Sequence, residues 1–324
     1  MTTQQKNHLI LVKDSATGIA VASIIAVLAA YIPLLGFFFA VLLPMPILYY
    51  RLKLGRSPGG MIAAASFVAI TALSGGLTID MLFYGSLLIT GFLLGHFLEK
   101  QLTIERTGIL TCLTTLGVGI VTLFLYAQTT KQSILTMVSA YVAANLDLTL
   151  KVYQGMGMPQ ESIDLITSSI DTIHYVLVRI LPSIVVAMLL FVIWANILFI
   201  KTVLKKKGLG MPRLENLNQW RAPDRLVWAV IVFGAFLVLP VNGLGIIGLN
   251  CIIVMMLIYF FQGIAIVSFF LDKRRFPVML KVVLYTIIAV QQLFLVFIIA
   301  LGFFDTWVNF RKIGRTKTAE NNNS

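Results

Sequence analysis

The sequence predicts an all-α fold, a polytopic transmembrane helix bundle of about nine crossings with one amphipathic extracytoplasmic insertion. Three observations carry that expectation. Of 324 residues, 59% are hydrophobic and only 12% charged, and the mean hydropathy is +0.93, which is more apolar surface than a soluble core can bury. The apolar residues fall in runs, and at about 20 residues per passage they supply roughly eight to nine crossings, with ten as the upper count. The formal charge of +12 sits in short clusters at the ends of those runs, where cations set topology, so nucleic acid is not needed to explain it. The same composition excludes a disordered chain, a disulfide-stapled module and a large soluble catalytic domain. Cys112 and Cys251 lie inside apolar stretches without metal or redox spacing.

In chain order, a cytoplasmic segment, 1–15, leads into Ala16 to Ile32, and Leu34 to Tyr50 follows almost at once. Pro33 makes these a helical hairpin, because it lacks a helix donor and disfavours α conformation at Ile32. Arg51, Lys53 and Arg56 close the hairpin. Pro58 to Leu73 and Leu77 to Leu98 are separated by Ser74-Gly75-Gly76, and a charged turn with Glu99, Lys100, Glu105 and Arg106 precedes Thr107 to Ala127. Residues 128–175 are the one sizeable polar insertion. Within it Ile163, Ile166, Ile170 and Ile173 recur at helical spacing with acids between them, an amphipathic helix suited to the membrane surface or to covering the bundle. Val176 to Ile200 crosses again, with Arg179 snorkelling at one end and Pro182 kinking the first turns. These segments form a six-helix core over 16–203. A basic cytoplasmic loop, 204–225, follows. Leu226 to Leu239, Leu244 to Leu271 and Val278 to Phe304 make a three-helix extension over 226–310, and a basic polar tail, 311–324, ends the chain.

With the N-terminus in the cytoplasm, nine passages place Arg51 to Arg56, Lys201 to Arg225 and Lys273 to Lys281 inside and the acidic insertion outside. All of these obey the positive-inside rule. The tail does not, since a ninth passage sends Arg311 to Lys317 outside. Either the tail is a tolerated exception, or Gln291-Gln292 marks a broken or re-entrant segment that returns it to the cytoplasm.

Neither a phosphate loop, HExxH nor GxSxG occurs, so no catalytic residue, cofactor or metal ligand is assigned. Asp80 begins a crossing after Gly75-Gly76, either as an outer-interface residue or as a carboxylate at the mouth of a cavity. Asn250 and Gln262 lie in apolar surroundings on one helix, where amides either tie neighbouring helices together or line a substrate cavity. Asp305, Trp307, Arg311 and Lys312 form an end signal in which the aromatic anchors at the headgroups and the cations meet lipid phosphate or Asp305. Ala16, Ala20, Ala22 and Ala26 give overlapping small-xxx-small spacings, a smooth helix face for internal packing or for docking onto a membrane partner.

Three segments carry a resemblance to a known family. Tyr259-Phe-Phe-Gln-Gly-Ile-Ala-Ile-Val-Ser-Phe-Phe-Leu271, Gly302-Phe-Phe-Asp-Thr-Trp-Val-Asn-Phe-Arg-Lys312 and Asn218-Gln-Trp-Arg-Ala-Pro223 resemble the YybS-like family of bacterial multi-pass membrane proteins, whose function is unknown. That resemblance implies the bacterial cytoplasmic (inner) membrane. The alanine-rich first helix, Tyr31-Ile-Pro-Leu-Leu35 and Leu42-Leu-Pro-Met-Pro46 also resemble the S components of energy-coupling-factor transporters. This second resemblance implies a small-molecule ligand held by six helices, and a first helix that meets a membrane scaffold with separate ATPase subunits. The insertion over 128–175 and the three crossings after Arg225 depart from that pattern. The leading expectation is an integral membrane protein that binds a small solute or lipid-like molecule without converting it. A scaffold or assembly factor is the alternative, and a membrane enzyme acting through Asp80, Asp147 or Asp305 is the third class.

Overall fold

Residues 3–32, 35–209, 217–241 and 243–311 are described by a computed structural model, and among them every regular element is helical. The chain divides into two compact units: unit 1 comprises Met1–Val178 and Met188–Leu214, and unit 2 comprises Arg179–Ala187 and Glu215–Ser324.

Unit 1 contains α1 (Thr3–Tyr31), α2 (Gly36–Leu42), α3 (Pro44–Leu54), α4 (Arg56–Leu73), α5 (Ile79–Glu99), α6 (Ile104–Thr130), α7 (Ile134–Gly155), α8 (Gln160–Ser168) and most of α9 (Ile170–Lys207). The segment read from sequence as polar and preceding the first crossing is continuous with α1, and Asp14 on it pairs with Lys53 on α3 at 2.7 Å. Pro33 lies outside the described residues. Threonine and serine caps set three of the starts: Thr78, Thr103 and Ser133 accept from the backbone N–H groups of Met81, Arg106 and Thr136. The core gathers Ala22 and Ala26 of α1, Ile47 of α3, Ile62 of α4, Leu88 of α5 and Val192 of α9. Gly18 lets α1 approach, since a Cβ there would strike the Tyr50 ring. Asn196 satisfies the carbonyl of Val41 at 2.8 Å, a carbonyl at the α2–α3 junction where Pro44 follows.

The insertion over 128–175 comprises the end of α6, the helices α7 and α8, and the start of α9. Ile163 is buried, and Ile166, Ile170 and Ile173 are half-buried while Glu161, Asp164 and Asp171 are exposed. The isoleucine period therefore reads the packed side correctly, although the helix breaks at Ser169 and the last two isoleucines belong to α9.

Unit 2 contains the turn Leu217–Gln219, α10 (Leu226–Val238), α11 (Leu244–Lys273), α12 (Val278–Val290), α13 (Gln292–Val308) and the Arg179–Ala187 part of α9. Glycines set its helix crossings. A Cβ on Gly263 would run into the Ile298 carbonyl, and one on Gly302 into the Tyr259 carbonyl, so α11 and α13 touch backbone to backbone.

Among the described residues six segments, His8–Tyr31, Gly36–Leu54, Ile79–Glu99, Ile104–Thr130, Ile170–Lys207 and Leu244–Lys273, are long and apolar enough to cross a membrane, or seven if α12 and α13 form one span. Two segments that the sequence reading counts as crossings fall short by that measure. α4 begins with Arg56, Ser57, Pro58, Gly59 and Gly60, which dilute its 18 residues. α10 has 13 residues, about 20 Å against a hydrocarbon thickness of about 30 Å. The last apolar run bends by 101° at Gln291.

Candidate functional site

The walls of a cavity in unit 1 come from the small faces of three helices. Gly60, Ala63 and Ala64 of α4, Gly85 of α5 and Gly119 of α6 leave a volume of about 440 Å³, flanked by Phe67, Leu82, Leu88, Ile89, Phe92 and Val118 and open on one side. This lies within the range of about 300–1,000 Å³ common to ligand pockets. Ser86 and Thr122 are its only hydroxyls, and each already donates to a carbonyl of its own helix, Phe83 at 2.7 Å and Val118 at 2.8 Å. The lining thus makes no unmet polar demand, and it suits hydrocarbon better than a polar solute.

One end of the cavity abuts a buried cation. Arg51 is fully buried on α3, where Gly59 and Gly95 make room for its side chain. Its guanidinium sits 4.2 Å from the centroid of the cavity-lining Phe92 ring. Nη2 donates to Glu99 at 2.9 Å and lies 3.4 Å from His96 Nδ1. Nε and Nη1 are buried without a partner.

Asp80, exposed in the first turn of α5, accepts from the Tyr141 hydroxyl at 3.0 Å and is not among the cavity-lining residues. Burial, with the Asp80 carboxylate as acceptor, holds the Tyr141 phenol above its ordinary value. This contact links α5 to the extra helix α7. On α1, Ala22 and Ala26 are fully buried within unit 1, whereas Ala16 and Ala20 are exposed.

Unit 2 brings the other sequence-derived candidates together. Asp305 and Gln262 are fully buried. Asp305 Oδ2 accepts from Gln262 Nε2 at 3.1 Å and from Arg311 Nη2 at 2.9 Å, and Oδ1 accepts from the Phe310 N–H at 2.8 Å. Gln262 Oε1 accepts from the Ala222 N–H at 3.1 Å. Arg311 Nη1 donates to the carbonyls of Asn218 and Trp220, and Arg221 donates to those of Asp305 and Thr306. The three motif segments quoted from the sequence therefore meet around Asp305, the first two at its carboxylate and the third through Gln262, Arg311 and the Asp305 carbonyl. Both of its oxygens are engaged by the protein, which makes this cluster a clasp between α11, α13 and the turn before α10. Trp307 is 57% exposed, as a headgroup anchor would be, and Lys312 lies outside the described residues.

Asn250 has a different task. Its Oδ1 accepts from the Ser183 N–H at 3.2 Å and its Nδ2 donates to the Arg179 carbonyl at 3.0 Å. These are the i and i−4 groups that an undistorted helix pairs with each other. They flank Pro182, which lies inside α9, so the amide reinforces the ladder where proline weakens it.

Sequence reasoning passed over the cavity and Arg51. The available signal was the glycine spacing of α5 at Gly85, Gly91 and Gly95 together with Gly59-Gly60, which marks close approach of neighbouring helices. Arg51 was read only as a topology charge. Among the described residues no group of three or more His, Cys, Asp or Glu side chains is arranged to hold a metal ion.

The family described as predicted membrane protein (DUF2232) matches residues 20–306. The chain is also similar to the uncharacterized protein YybS of Bacillus subtilis (strain 168), with 21% identity over 305 residues that cover 92% of this chain and 96% of that protein. No solved structure gives a significant match, so the likeness of the first half to S components rests on the sequence features alone.

Proposed function

The chain belongs to the DUF2232 family of predicted membrane proteins, and from that premise we propose that it binds an apolar, lipid-like ligand without converting it, in the cavity between α4, α5 and α6. The carrying observation is the lining: about 440 Å³ walled by glycine, alanine and apolar side chains, with two hydroxyls that are already bonded. A polar metabolite would lose its water there and find no partner. The bacterial cytoplasmic membrane is the setting that the likeness to a bacterial relative supports, and the charge pattern favours an N-terminus inside.

Gly119 supplies the test. It lines the cavity, and a Cβ added there meets nothing within 4 Å, so Gly119→Leu sets a bulky side chain at the lining without a clash at its Cβ. Mass spectrometry of the protein purified in mild detergent should find a stoichiometric amphiphile on the wild type and little on Gly119→Leu. Equal loading of the two contradicts the proposal.

The exposed side of α1 favours a second reading. Ala16 and Ala20 point away from the unit 1 core, which suits docking on a membrane scaffold, including one with separate ATPase subunits. Crosslinking from Ala20→Cys in membranes should capture one protein partner in stoichiometric yield; recovery of lipid adducts alone removes this reading.

The contacts of Arg311 bear on topology. They set the start of the tail beside the Asn218 to Trp220 turn that ends the basic loop. This supports a reading in which α13 ends on the side of that loop, the bent α12–α13 pair enters and leaves by one face, and the crossings are even in number.

A further inference from the structure

We infer that the unit 1 cavity holds one acyl chain of an anionic phospholipid, whose headgroup is bound by the cations around Arg51. This rests on the reading of the cavity as an apolar ligand site and names the class of ligand. The cavity follows α5 from Leu82 to Phe92, ten residues and therefore about 15 Å at the helical rise. A slot of that length and lining accepts an extended hydrocarbon chain. Charge begins at its Phe92 end.

There the Arg51 guanidinium lies over the Phe92 ring at 4.2 Å, a cation–π contact that holds it beside the end of the slot. Arg51, Arg56, Lys100 and Glu99 all lie within electrostatic range of His96, one turn beyond Phe92. Arg56 precedes the lining residue Gly60 by four positions on α4, and Lys100 follows α5; both are exposed. Around His96 three cations thus stand with the carboxylate of Glu99, which is 39% exposed. Glu99 pairs with Arg51, whose two remaining buried donors have no partner, so Arg56 and Lys100 are the surplus cations around His96. A phosphodiester next to Arg56 and Lys100 supplies the opposite charge, and its oxygens suit guanidinium and ammonium donors. A zwitterionic lipid fits the slot equally well but brings its own cation to a site already rich in them.

The full-length protein is exchanged into phosphatidylglycerol or phosphatidylcholine with identical acyl chains, and retained lipid is read by native mass spectrometry. The expected result is phosphatidylglycerol retained about tenfold over phosphatidylcholine, a ratio within reach of two or three interfacial cations. The double variant Arg56→Gln, Lys100→Gln, altered only at exposed side chains, should bring that ratio near one while keeping phosphatidylcholine occupancy. Gly119→Leu should lose both lipids. Equal retention by the wild type, or a ratio unmoved by the double variant, overturns the headgroup assignment and leaves the cavity reading intact. Retention of both lipids by Gly119→Leu overturns the cavity reading and this inference with it.

Discussion

A carboxylate taken wholly out of water is unfavourable by several kcal/mol unless opposite charge and hydrogen-bond donors surround it, and Asp305 has both in Arg311, Gln262 and the Phe310 N–H. Removing one partner of such a pair leaves the other charge buried. Asp305→Ala should therefore lower stability by about 3–5 kcal/mol, seen as a fall in the melting midpoint in detergent, while Asp305→Leu combined with Arg311→Met should recover much of the loss. A single variant that melts like the wild type would show that the clasp is dispensable. From the sequence, Asp305 and Gln262 were legible as polar residues inside or beside apolar runs. Their pairing was not, because they stand 43 positions apart and nothing in helical periodicity says which helices adjoin. Arg51 was less legible still: three cations in a short turn look alike, and only the glycines that face Arg51 from α4 and α5 distinguish it.

Elements show the same division between local signal and tertiary outcome. Pro182 announces a weak point in α9, and the structure supplies its remedy from Asn250 on α11. Asn250→Ala leaves the Ser183 N–H and the Arg179 carbonyl without that bridge and should cost about 1–3 kcal/mol. In a Pro182→Ala background the same change should cost distinctly less, because the ladder can close on itself; equal costs in both backgrounds would refute the bridging role. The α11–α13 crossing is sharper. Gly263→Val or Gly302→Val cannot keep the backbones in contact and should give aggregated or poorly expressed protein by size exclusion, whereas Gly245→Val, where a Cβ meets nothing within 4 Å, should behave as the wild type. The break at Gln291 was readable because two amides interrupt an apolar run. In α4 and α10 the hydrophobicity that the sequence reading used is real, but the apolar stretch is shorter than in the other spans.

For the molecule as a whole, composition was enough to read a helical membrane protein, since its apolar content has no soluble alternative. Composition could not locate the cavity, which exists only because small residues on α4, α5 and α6 face one another. The positive-inside conflict at the tail is open to test, since the proposed topology puts Arg311, bonded to the Asn218 and Trp220 carbonyls, on the side of the basic loop. In a Cys112→Ala, Cys251→Ala background, Lys206→Cys and Lys317→Cys should both label from the cytoplasmic face and Gln154→Cys from the opposite face; a Lys317→Cys that labels with Gln154→Cys would restore an odd number of crossings. The central claim is that unit 1 encloses an acyl chain, and photocrosslinking with a diazirine-bearing acyl lipid followed by peptide mapping tests it most directly. The account predicts adducts concentrated on the peptides holding Gly60 to Phe67, Leu82 to Phe92 and Val118 to Thr122, and lost in Gly119→Leu. Adducts spread evenly over the outward faces of all the spanning helices, unchanged by Gly119→Leu, would contradict it.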